Sequence, residues 1–346
     1  MRTTVPRAGQ RAARGAVRPL ALVLLAAAGA FALTMGARQS MGLFVGSINT
    51  HTGLGLAAVS LAFAFGQLCW GLTQPIAGIV ADRAGPGRVL VVGVVLVAIG
   101  TWLIPRMQTT AGLVLAIGVL SAGGAGLAGP AVLMAAVTRL VDPAKRGFAT
   151  GVVNAGGSFG QFLFAPLAQV ITSSAGWAAA VQSLALITLL ALPAAWVLRA
   201  PSRAETAAAE ASAGGPPPVR EGTRAAIARA WRDRSYRLLA TGFFVCGFHV
   251  AFLATHLPGV VESCGLPPDV GAWALALLGL FNIVGSLGIG WAIGWRGGRW
   301  RMKSMLSLIY ATRGLAVLAF VLAPKSAEVV FVFSAVMGLT FLSTVP

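Results

Sequence analysis

Apolar residues run along this chain in ten long stretches separated by polar breaks. They are Leu20–Ile48, Leu56–Val80, Val89–Ile104, Leu113–Val137, Gly147–Ile171, Trp177–Leu198, Leu238–Val261, Val270–Ile293, Met305–Leu322 and Val329–Val345. A helix needs about 20 apolar residues to cross a bilayer. In lipid the backbone must satisfy its own hydrogen bonds, so each stretch is expected to be a helix. The pattern predicts an all-α membrane protein of about ten transmembrane helices. Inside the fifth stretch, Gly147-xxx-Gly151 and Gly156-xxx-Gly160 have the small-xxx-small spacing of close helix contacts.

One polar break is much longer than the rest. Residues 200–236 hold an alanine and glutamate stretch, Gly214-Gly215-Pro216-Pro217-Pro218 and a basic run. This composition predicts a partly disordered linker, with a surface helix near Arg224–Arg237. It divides the chain into a six-helix bundle (1–199) and a partial bundle of four helices (237–346). A shift of 212 aligns Gly78 with Gly290 and Gly85 with Gly297, and brings Arg296–Lys303 onto the first basic turn. The halves therefore read as pseudo-repeats, a plan common in secondary transporters. Gly294 stands where the first copy has Asp82.

Composition agrees with the pattern: 57% of residues are hydrophobic and 10% charged, against about 25% charged in soluble domains. The net charge of +17 does not indicate nucleic acid, because the basic residues lie between apolar runs and form no patch of their own. Instead they sort by side. The N-terminus and the breaks after the second, fourth, sixth and eighth stretches hold 22 of the 26 Lys and Arg residues. By the inside-positive tendency these segments are expected on the cytoplasmic side. A secretory signal has an apolar region of only about 7–15 residues, so Leu20–Ile48 is expected to remain as the first span. Cys69, Cys246 and Cys264 show no ligand-like or disulfide spacing. No metal site, cofactor motif or enzyme signature is present in the sequence.

The break after the second stretch carries Gly78, Asp82, Arg83, Gly85 and Arg88. This turn resembles the G-x-x-x-D-R-x-G-x-x-R loop between helices 2 and 3 of the major facilitator superfamily. Lys145-Arg146-Gly147-Phe148-Ala149-Thr150-Gly151 with Ala155-Gly156 is similar to the start of helix 5 in its monocarboxylate and oxalate/formate carriers. The resemblance implies a twelve-helix carrier, of which this sequence is expected to hold the first ten. It also implies alternating access about a central site. In the family the loop latches the inner side, and the counterpart of Asp82 docks against the start of helix 11.

Two arginines, Arg38 and Arg313, lie inside apolar stretches, whereas all nine acids fall in breaks or at stretch ends. A charge at mid-membrane costs about 2.5–3.5 kcal/mol on insertion scales. An arginine without a protein anion is a candidate ligand for a substrate carboxylate. The other reading is that each bonds backbone carbonyls or reaches a headgroup. His249 and His256 share a helix face and are the candidate proton-handling groups, or pack neutral against neighbours. Asn154, Ser158 and Gln161 form a polar stripe, as do Gln67 with Gln74 and Asn282 with Ser286; such stripes line a cavity or bond helix to helix.

The expected function is secondary transport of a small organic monocarboxylate or dicarboxylate, proton-coupled or by exchange, in a bacterial inner membrane. Its candidate substrate residues are Arg38, His249, His256, Asn282, Arg313, Asn154 and Gln161. A drug or sugar carrier and a non-transporting fragment are the alternatives. The expected partners are the anion, a proton and the lipid bilayer.

Overall fold

A computed structural model describes residues 19–141, 145–199, 223–294 and 302–341. The basic N-terminus, most of the linker and the second copy of the glycine-rich turn lie outside the described residues. All regular structure within them is helical. Eight helices are long and apolar enough to cross a membrane: α1 (Leu20–Thr52), α2 (Leu56–Ala84), α3 (Pro86–Arg106), α4 (Thr110–Leu140), α6 (Trp177–Val197), α7 (Arg234–Ser263), α8 (Pro268–Ile289 of a helix ending at Gly294) and α9 (Ser304–Leu322 of a helix starting at Met302). Two more occupy the remaining predicted stretches. α5 (Arg146–Ala175) has the length but carries Asn154, Ser158, Gln161 and Gln169, which lower its hydropathy. α10 (Ala327–Thr340) has 14 described helical residues, about 21 Å at 1.5 Å per residue.

Several helices are not uniform. α1 tightens into a 3-10 stretch at Ser40–Phe44 before continuing to Thr52. α4, expected as one regular span, is π-helical over Val114–Ala122 and breaks at Ala128–Gly129, where Pro130 restarts the helix. Proline lacks the N–H needed to continue a helix but suits its first turn. Mid-helix 3-10 and π segments mark strain or functional positions. Both irregular segments face the central cavity described below.

Glycines set the closest approaches. A Cβ on Gly156 would lie 2.5 Å from the Ala28 carbonyl oxygen, and one on Gly160 would lie 2.1 Å from that of Ala32. The predicted Gly156-xxx-Gly160 pair therefore seats α5 against α1. Gly151, of the other expected pair, has open space around it and makes no contact of this kind. Gly85, at φ +86°, turns the chain between α2 and α3 in a conformation that favours glycine.

The first six helices enclose two large apolar clusters, one around Val23, Phe31 and Leu133, the other around Phe44, Ile48 and Leu184, besides a small one of Ala77, Ala81, Val89 and Val132. A third cluster joins Ala165 of α5 to Leu257, Leu275, Leu278 and Phe333. The two groups of helices meet through α1 with α7 and α5 with α8. On the outside, side chains such as Leu72, Phe244 and Leu322 are exposed, which costs little where the solvent is lipid.

Candidate functional site

Where α1, α2, α4 and α7 converge, Arg38 faces a small cavity with Gln39, Phe63, Gln67, Ser121 and Thr255. Its volume is about 30 Å³, room for about two water molecules. The Arg38 guanidinium donates to Gln67 Oε1 and lies 4.5 Å from the centre of the Trp70 ring. Trp70 Nε1 is buried without an acceptor. Arg38 has no carboxylate partner among the described residues, and no acid lines the cavity. Gln67 and Trp70 are three apart on α2, one helical turn, so the same face offers an amide and an aromatic surface to one cation.

Gln39 links the cavity to α5: its Nε2 approaches Gln161 Oε1 at 3.5 Å, and Gln161 Nε2 has no acceptor of its own. One turn earlier on α5, Ser158 accepts a 2.8 Å hydrogen bond from the Asn282 amide of α8. Ser158 in turn donates to the Asn154 carbonyl at 3.5 Å. Ser158, Gln161 and Asn282 are thus used between helices, Asn154 offers its backbone carbonyl to Ser158 within α5, and none of the four lines the cavity. The physical reason is the rotation of α5, whose Gly156 and Gly160 lock onto α1.

Arg313 is elsewhere. It is 1% exposed, and one terminal nitrogen donates to the Thr340 carbonyl and, at 2.6 Å, to that of Phe341. The other reaches Cys246 Sγ at 3.3 Å. The guanidinium also lies 5.4 Å from the Tyr310 ring centre, and the Tyr310 hydroxyl donates to the Gly242 carbonyl at 2.5 Å. These contacts tie α7, α9 and α10 together and leave only Arg313 Nε without a partner. Arg313 therefore lies apart from Arg38, with backbone carbonyls around it, as in the second of the two readings of the sequence.

His249 and His256 also stay outside the cavity lining. His249 packs against Phe248 and His256 against Phe252, with ring centres 6.3 and 5.3 Å apart, and His249 Nδ1 is buried without a partner. Of the seven expected substrate residues, Arg38 alone faces the cavity. Gln39, Trp70, Ser121 and Thr255 were not singled out in the sequence. Trp70 was accessible through its one-turn spacing from Gln67; Ser121 and Thr255 stand among apolar residues with nothing to distinguish them.

In the glycine-rich turn, Arg139 near the end of α4 pairs with Asp82. Arg83 and Arg88 are exposed, and Gly78 has open space around it. Pro86 starts α3 directly after Gly85.

At the ends opposite this turn the two helix groups are in contact. A Cβ on Gly42 would lie 2.0 Å from the Ala254 carbonyl oxygen, and one on Gly46 would lie 3.3 Å from Glu262 Oε2. Gln169 of α5 donates to Asp269 of α8 at 2.9 Å. The described contacts between the groups run from mid-helix to that side.

The sequence profile of the Major Facilitator Superfamily matches residues 23–346. The chain belongs to the major facilitator superfamily. It is an integral membrane protein. Within the superfamily it is 26% identical over 277 residues to monocarboxylate transporter 13 of Bos taurus, covering 78% of this chain and 60% of that protein. It is 30% identical over 169 residues to the oxalate:formate antiporter of Oxalobacter formigenes, covering 49% of this chain and 40% of that protein. The chain thus spans three fifths or less of the length of these relatives. Its fold is similar to the crystal structure of a D-xylose–proton symporter, with a TM-score of 0.66 at 14% identity, covering 92% of this chain and 80% of that one.

Proposed function

We propose that the chain serves secondary transport of a small organic anion by alternating access, with Arg38 as the residue that binds the anion. The supporting observation is a cavity that holds one guanidinium, a nearby unpaired indole N–H and no acid. A carboxylate supplies the acceptors that this cluster lacks, and the planar guanidinium fork suits it. Trp70 and Gln67 hold the fork in place. Ser121, whose hydroxyl lies 3.0 Å from that of Thr101, and Thr255 add neutral hydroxyls to the lining. The names of the two relatives agree with a carboxylate substrate.

Exchange suits the cavity better than proton coupling. Among the described residues, no titratable side chain besides Arg38 lines it, and His249 and His256 are packed outside. An empty carrier would move a buried, uncompensated cation through the closed state, which is costly. A bound anion neutralises that charge in both directions.

In this reading, α1–α6 and α7–α10 rock about the α5–α8 junction, with the ends opposite the basic loops closed as described. The same reading takes those loops as cytoplasmic in a bacterial cell, and the inside-positive tendency of their Lys and Arg residues supports the orientation. Purified protein in liposomes preloaded with oxalate, formate or lactate is the test. Uptake of labelled anion that requires internal anion and is lost in Arg38→Ala supports the reading. Uptake of neutral D-xylose without anion uptake sinks it.

A further inference from the structure

The proposed carrier site leaves one conspicuous feature unused, the short helix that precedes α7. Residues Thr223–Arg232 form ten residues of helix that pack on the start of α7 and make no other extensive contact among the described residues. Helical spacing places Ala230 and Trp231 on one face and Arg229 and Arg232 on the other. Asp233 ends the segment at ψ 124° and caps α7, accepting from the Ser235 and Tyr236 amides at 2.7 and 3.3 Å. The cap forces a turn between the short helix and the membrane-spanning one. Trp231 is 63% exposed and meets Tyr236 edge-on, ring centres 6.4 Å apart. Between Thr223 and Arg237 there are five arginines and one acid.

We infer that this helix lies on the membrane surface at the basic-loop side and binds anionic lipid headgroups. A ten-residue helix is marginal in water on its own. Segregated apolar and basic faces are the signature of a helix lying in the interface. Trp and Tyr favour the headgroup level, and a run of arginines beside a spanning helix attracts acidic lipid. Asp233 sets the geometry, because α7 crosses the bilayer from the point where the short helix turns away.

The test uses the full chain in nanodiscs of phosphatidylcholine, with and without phosphatidylglycerol. Amide hydrogen exchange is followed for 224–233, with α8 as the control for folding. The expected result is exchange at least about tenfold slower in the anionic discs, reversed by high salt. In R224Q/R229Q/R232Q the difference between lipids disappears while α8 stays protected. Equal exchange in both lipids overturns the inference. So does a lipid difference that survives unchanged in the triple variant, or protection in neutral discs produced by inorganic phosphate alone.

Discussion

Arg139 pairs with Asp82 across 57 positions of sequence, joining the last turn of α4 to the last turn of α2. The most distinctive motif of the chain is therefore held from within the first six helices. The two side chains are 23% and 42% exposed, so water screens the pair and its contribution is small. A double-mutant cycle on Asp82→Asn and Arg139→Gln, read from denaturation midpoints, is expected to give a coupling of about 0.5–1 kcal/mol. Additive effects of the two changes contradict a direct pair.

Gly42 brings α1 onto the carbonyl of Ala254 in α7. Alanine is favoured over glycine in a helix by about 1 kcal/mol, so any loss on substitution reports packing. Gly42→Ala is expected to lower the thermal midpoint and slow exchange transport. Gly151→Ala, which meets open space, leaves both unchanged or raises stability. Equal behaviour of the two variants argues against the α1–α7 approach.

Arg38→Ala removes the one cation among the described residues that line the cavity. A hydrogen bond to a charged group contributes about 1.5–3 kcal/mol, so anion exchange should fall about 10–100-fold at a given concentration. Arg38→Lys keeps the charge but loses the fork and the stacking on Trp70, and should retain part of the activity. Transport rates in preloaded liposomes decide the matter; wild-type exchange in Arg38→Ala rules out this residue as the anion ligand.

For Arg313 the expectation is different. Its nitrogens hold the Thr340 and Phe341 carbonyls and Cys246, so Arg313→Ala leaves buried acceptors unpaired. A loss of about 2–3 kcal/mol of stability is expected. The half-saturating anion concentration of whatever protein remains folded should be unchanged. A stable Arg313→Ala protein with a large shift in that concentration would place Arg313 in the substrate site after all.

Much of this architecture was legible in the chain. A bilayer has one thickness, and lipid leaves the backbone no partner but itself, so apolar length alone marks a spanning helix. The stretches Leu56–Val80 and Trp177–Leu198 differ from α2 and α6 only at their ends. The Asp82 turn was equally readable, because glycine at positive φ and proline at a helix start are local requirements. The break in α4 was harder: Gly129-Pro130 is a local signal, but the π-helical stretch before it depends on how α4 packs beside α2 and α3.

The site is where local reasoning ended. Arg38 and Arg313 look alike in sequence, each a lone cation in an apolar run. Only the fold sets one beside a cavity and closes backbone carbonyls around the other. Asn154, Ser158 and Gln161 announce a polar face on α5, but helical periodicity says nothing about where that face points. Its direction comes from Gly156 and Gly160 seating against Ala28 and Ala32, which turns Ser158 toward Asn282 and Gln161 toward Gln39. Which segments are helices and that they span was determined along the chain, by hydrophobicity and local geometry. What each polar residue faces was decided by rotation and packing between helices, which depend on contacts distant in sequence, 122 residues for Gln39 with Gln161 and 124 for Ser158 with Asn282.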